Sequence, residues 1–295
     1  MPILPKPFVA ALSLVTLAAL AASLDGEPAP SGVGRHPLAN QAEARFFEIF
    51  TRETSPSDAA LRDLMTAYYV DPGDARTSLL LGLNHLWLAA EGDRTDPRVI
   101  ENLYLAERFL ARSAEQNPDD LRMPSWLVPA RMSLATIEQD DERVAALGRE
   151  MVEAYASDPN FHSFVVGQQA FSAPRDSERF LFGLKAMRDT GECLDQDDPT
   201  CHNHPHWPHN QEAFLVFAAD FELKAGDVDR ARALLEQTRR IPEFPTWPYR
   251  DVVDERLAGL EVRAAAYANA DPDDDPASLF TGDHRASCQA CHRTK

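Results

Sequence analysis

Cys288-Gln289-Ala290-Cys291-His292 places two thiols and an imidazole within five residues. The two-residue spacer brings both sulfurs to one side of a turn. There they can add across the two vinyl groups of one porphyrin. The adjacent His292 then reaches the iron as proximal ligand. The pattern therefore assigns Cys288 and Cys291 to covalent haem attachment and His292 to the haem iron. Two other chemistries use the same residue types. Half of a zinc site would need a second ligand pair close in space. A dithiol redox pair would need a βαβ setting, and the sequence has no such pattern.

The chain holds two further cysteines, Cys193 and Cys201. In an oxidising compartment they are expected to form a disulfide closing a short loop. Read with His202, they also make a widened C-x7-C-H. Attachment strongly favours the two-residue spacer, so one haem is expected and a second at Cys193, Cys201 and His202 is disfavoured. The loop continues through His204, His206 and His209, the densest source of a sixth iron ligand. The alternating His202, His204 and His206 also suit zinc or copper. A surface loop without any ligand is the bland alternative, and it leaves the iron open or water-ligated. His85 and His162 sit on apolar helix faces and read as core histidines. Met65, Met132, Met151 and Met187 read as core packing.

These residues need a compartment and a scaffold. Residues 1–23 read as an export signal: Lys6, an apolar stretch from Phe8 to Ala22, then small residues at a cleavage site. Periplasmic or secreted localisation follows. An N-terminal membrane anchor results only if the segment stays uncleaved, because the stretch is short for a span of about 20 residues. The formal charge of −18 becomes −19 without Lys6. Such acidity disfavours nucleic acid and anionic lipid and suits a basic redox protein partner. No phosphate loop, H-E-x-x-H or Ser/His/Asp arrangement appears.

Residues 24–40, rich in Pro and Gly, read as a flexible lead-in. Residues 41–268 carry apolar positions at helical spacing almost throughout and form the body, interrupted by the His/Cys loop at 191–210. Residues 269–276 include Asp-Pro-Asp-Asp-Asp-Pro and read as an acidic hinge. Residues 277–295 form the haem-attachment tail. This tail is too short to enclose a porphyrin, so its haem is expected to dock on the body. Leu279 and Phe280 would cover one edge. The run from Phe244 to Tyr249 is expected to pack the loop onto the helices.

A small-large-small helix face followed by proline recurs along the body. It appears as Ala60-Leu64-Ala67 before Pro72, Ala106-Leu110-Ser113 before Pro118, Leu147-Met151-Ala154 before Pro159, and Ala231-Leu235-Thr238 before Pro242. Proline stops each helix about one turn later. The spacing resembles the second helix of a tetratricopeptide repeat (TPR), and Gly226-Asp227 sits where that repeat turns between helices. The prolines are 46, 41 and 83 residues apart, against about 34 in a regular repeat. The expected fold is therefore all-α: an irregular, TPR-like helical hairpin array with a C-terminal haem-binding tail.

With its C-x-x-C-H motif, the chain resembles a c-type cytochrome, and one haem c is the implied cofactor. The expected activity is electron transfer from a helical docking scaffold, an electron carrier rather than a catalyst. A haem peroxidase or haem subunit of a larger oxidoreductase is the enzymatic alternative. A TPR-like protein-interaction scaffold is the third reading.

Overall fold

A computed structural model of the protein describes residues 34–52, 58–91, 96–194, 201–269, 271–280 and 288–294. The expected signal segment lies outside the described residues. The described residues are all-helical, with one isolated bridge between His204 and Trp207. In chain order the helices are α1 (Pro37–Arg52), α2 (Asp58–Val70), α3 (Ala75–Glu91), α4 (Pro97–Gln116), α5 (Pro124–Ile137), α6 (Asp141–Ser157) and α7 (Pro159–Phe171). They continue as α8 (Glu178–Cys193), α9 (Asn210–Ala225), α10 (Val228–Thr238), α11 (Arg250–Ala258), α12 (Leu260–Ala266) and α13 (Gln289–His292). None of them is long and apolar enough to cross a membrane.

Local chemistry sets the helix ends. Asp96, Asp140, Asp158, Ser177 and Asp227 each accept a backbone N–H from the first turn of the helix they precede. Pro97 and Pro159 open α4 and α7, where a missing N–H costs nothing. Gly226 ends α9 at a φ of 92°, a left-handed conformation that glycine adopts without strain.

Two kinds of helix alternate. α2, α4, α6 and α10 bury one narrow stripe, and each stripe holds one of the recurrent triplets: all twelve residues from Ala60 to Thr238 are buried. In contrast, α3 is buried continuously from Thr77 to Trp87 and α9 from Glu212 to Lys224. From α1 to α12 each helix packs on its neighbours in sequence, most extensively α3 on α4, α7 on α8 and α9 on α10, whereas α13 packs on α9 and α1. Gly82 allows the first of these contacts. A Cβ added there would stand 2.6 Å from Leu110 Cγ, which is why the large residue of the triplet faces a residue without a side chain.

The apolar side chains form two cores. One joins α1 to α5 with Phe161 and Cys288. The other joins the helices from α5 to α12 with Leu279, Phe280, Ala290 and Cys291. The tail thus contributes to both.

Three stretches differ from expectation. Residues 37–40 were expected in the lead-in but begin α1, because Pro37 suits a first turn and Ala39 and Ala42 bury against the core. The loop expected from 191 begins later, since 191–193 finish α8. The acidic stretch, expected to be an extended hinge, has described residues that are pinned to the body. The buried Lys224 pairs with Asp275 and donates to the Phe171 carbonyl at 2.7 Å. Tyr267 Oη donates to Pro276 O at 2.9 Å, and Arg263 Nη2 to Ala277 O at 2.8 Å. A lysine placed in an apolar interior needs a counter-charge, and Asp275 supplies it.

Gly82→Val should destabilise the fold by about 2 kcal/mol through overpacking against Leu110. A lower urea midpoint with an unchanged slope would register it.

Candidate functional site

The motif forms one turn of helix. The His292 N–H donates to Cys288 O at 3.3 Å and the Arg293 N–H to Gln289 O at 3.1 Å. Cys288, Gln289, Ala290, Cys291 and His292 are all at most 2 % exposed. The turn is clamped through its backbone and flanks by three separate parts of the chain. Trp247 Nε1 donates to Ala290 O at 2.8 Å, and the His209 N–H to Cys291 O at 3.0 Å. At the end of α1, Phe50 O accepts from Gln289 Nε2 at 3.4 Å, and Thr51 O accepts the Thr294 N–H at 2.7 Å.

His292 Nδ1 lies 2.7 Å from the His206 carbonyl. A carbonyl only accepts, so Nδ1 carries a proton, and the lone pair of the neutral ring is then on Nε2. This is the tautomer a metal-binding histidine takes when a backbone carbonyl holds its other nitrogen. The ring also meets Phe50 at 4.5 Å between centroids.

The histidine loop packs around that contact. His206 stacks on Phe47 at 4.0 Å, and His204 on Trp207 at 4.2 Å. Trp207 Nε1 donates to His202 O at 3.0 Å, and Gln211 meets His202 Nδ1 at 2.8 Å. His209 Nδ1 sits 3.1 Å from Glu212 Oε1, both side chains buried. The loop is tied to α8 by a Cys193–Cys201 disulfide with a Cα–Cα distance of 5.7 Å. Among the described residues, no group of three or more His, Cys, Asp or Glu side chains is arranged to hold a metal ion.

Burial pushes the Cys291 thiol far up, and the nearby Glu212 carboxylate adds to the effect. At neutral pH the free Cys291 thiol is therefore protonated, which does not suit a nucleophilic dithiol. Addition of a thiol across a vinyl group makes a neutral thioether, which suits burial. Cys288, Cys291 and His292, with the Nδ1–H held by His206, are the described residues whose chemistry fits a haem.

The structure also buries polar groups that no motif marks. Asn84 and Trp87 on α3, Trp126 on α5 and Gln168 on α7 are at most 3 % exposed. Neither amide of Asn84 or Gln168, nor either indole N–H, has a hydrogen-bond partner among the described residues. Each such group costs about 1–3 kcal/mol when left unsatisfied. The signal was hidden because these helices are apolar nearly all round.

Other histidines have core roles. His85 Nδ1 bonds Asn102 at 2.8 Å and its ring stacks on Phe109. His162 Nδ1 bonds Ser125 Oγ at 2.6 Å and Nε2 bonds Leu121 O at 3.0 Å. Met151 and Met187 are buried in the second core, while Met132 packs against it and Met65 against the first. Leu279 and Phe280 are buried too, Phe280 edge-on to Phe164 and Phe217 at about 5 Å.

No protein-family model matches this chain, and neither a curated protein nor a solved structure matches it.

Burial lowers the His162 pKa. The unfolded chain then binds the proton more readily than the folded one, so stability falls as pH drops below about 6.5. Urea midpoints at pH 7.0 and 5.5 should diverge more for wild type than for His162→Gln. Equal divergence would remove His162 as the titrating group.

Proposed function

We propose that the chain is an exported monohaem c-type cytochrome whose TPR-like helical hairpin body encloses a haem held by Cys288 and Cys291, with His292 as proximal ligand. The observation that carries this reading is the C-x-x-C-H turn itself, with the His292 Nδ1–H fixed on the His206 carbonyl. A haem held there supplies a one-electron couple. The residues of the chain do the rest. His206 O fixes the tautomer, so the nitrogen left for iron is Nε2. Trp247 and His209 hold the turn by its carbonyls. Phe47, Phe50 and Trp207 keep water away from it. The acidic surface would steer a basic redox partner. The Cys193–Cys201 disulfide agrees with an exported chain.

The histidine loop bears on the sixth ligand. Its backbone engages His292 at Nδ1, the nitrogen on the far side of the ring from the one that binds iron. This favours a supporting role for His202, His204, His206 and His209 over direct ligation. A sixth position filled by water or left open would move the reading toward a haem peroxidase or a haem subunit of a larger oxidoreductase, which needs such a site.

Co-expression with haem-attachment machinery, followed by a pyridine haemochrome count, tests the proposal. One covalent haem per chain is expected in the wild type and none in a Cys288→Ala, Cys291→Ala double variant. A low-spin spectrum supports the carrier, and a high-spin form that binds carbon monoxide supports the enzyme. A wild type without haem overturns both.

A further inference from the structure

Away from the tail, α6 and α8 both pack on α7 and scarcely on each other. A cleft of about 560 Å3 lies there, within the range of about 300–1,000 Å3 that encloses small ligands. Its walls are apolar: Met132 from α5, Val144 and Val152 from α6, Val166 from α7 and Phe182 from α8. Gly148 lines it as well, and a Cβ added there would meet nothing within 4 Å. Glycine inside a helix is unfavourable, and here the space it leaves opens onto the cleft. Beyond Phe182, Tyr155 bridges α6 to α8. Its ring stands edge-on to Phe182 at 5.3 Å between centroids, and its Oη donates to Asp189 at 2.5 Å. Arg179 lines the cleft one turn nearer the start of α8, and its guanidinium donates to the Gln169 carbonyl. Gln169 lines the cleft too, and its Nε2 is buried without a hydrogen-bond partner among the described residues. No carboxylate pairs with Arg179 among the described residues.

We propose that this cleft binds a long-chain monocarboxylate, with its hydrocarbon tail along the apolar walls and its carboxylate on Arg179 and the Gln169 amide. The site stands apart from the haem reading and does not rest on it. Two adjacent N–H donors at one end of an apolar cleft call for an acceptor head on an apolar body. A guanidinium fork matches a carboxylate with two parallel hydrogen bonds, and the first turn of α8 favours negative charge. The remaining charged lining is Arg149, Glu153 and Glu178. Two arginines and two glutamates leave the cleft formally neutral on a chain of net charge −18, so an anion is repelled less here than elsewhere. The two glutamates disfavour a head group with a second negative charge. The walls decide the tail. A peptide would bring a backbone N–H and C=O with each residue, and apolar side chains leave these unsatisfied. A hydrocarbon chain needs no such partners, and the flexible Met132 and Met151 side chains can adapt to it.

Calorimetric titration of the full chain with tetradecanoate, kept below its micelle concentration, tests the proposal. One site per chain is expected. Tetradecan-1-ol should bind about tenfold more weakly, because it forgoes a hydrogen bond between charged groups. Arg179→Gln should weaken the acid by about the same tenfold and leave the alcohol unchanged. Gly148→Phe should fill the cleft and remove both ligands, with a urea midpoint no lower than that of the wild type. If that variant does not fold, Arg179→Gln, at an exposed position, provides the test through the acid and the alcohol.

A wild type that does not bind tetradecanoate overturns the proposal. Equal affinity for the acid and the alcohol overturns it too, since the cleft would then be an apolar surface without head-group recognition. Binding that survives in a folded Gly148→Phe variant would place the ligand elsewhere, with the same consequence. Tighter binding of an acetylated leucine tripeptide with a free carboxylate than of tetradecanoate would reassign the cleft to a peptide C-terminus and overturn the fatty-acid assignment.

Discussion

Everything in this fold that bears on chemistry depends on one constraint: a short stretch of the tail is the shared filling of two hydrophobic cores. Cys288 belongs to the core built by α1 to α5, and Ala290 and Cys291 to the core built from α5 onward. The turn is held through the Ala290 and Cys291 carbonyls, through the Gln289 side chain on Phe50 O and through the Thr294 N–H on Thr51 O. That arrangement fixes Cys288, Cys291 and His292 through atoms other than the two sulfurs.

The tail also meets a cluster of buried charge. Asp220, fully buried on α9, receives both arms of Arg256 at 2.9 Å and Arg263 at 3.1 Å, and it accepts the Leu279 N–H at 3.3 Å. One carboxylate thereby ties α11 and α12 to α9 and fixes where the tail enters. Removing one member of such a cluster strands the others in a medium that cannot solvate them. The body and the tail are thus one electrostatic unit at this point, in spite of the acidic stretch between them.

Much of this was legible in the sequence, and the reasons differ by element. The helical body shows because its period is local: a triplet at i, i+4 and i+7 can be read without knowing what it faces, and all four triplets are buried stripes. The motif shows because its five residues are contiguous. The acidic stretch misleads because its partner is Lys224, 51 residues away; alone it has the composition of a solvated linker. The four unpartnered donors are invisible for a related reason. Asn84 and Gln168 sit on helices buried on nearly every side, where period carries no information about which face turns inward.

The contacts that close the tail onto α1 join residues 239 and 243 positions apart. Contacts of such sequence separation form late and slowly, because most of the chain's conformational freedom must be surrendered before they can be made. Once they are made, both thiols are sealed at 1 % exposure or less. Any covalent modification of Cys288 or Cys291 therefore has to happen while the tail is still open. An enzyme that modified them would be in a race with folding, and the slow closure of a long-range contact would give it time.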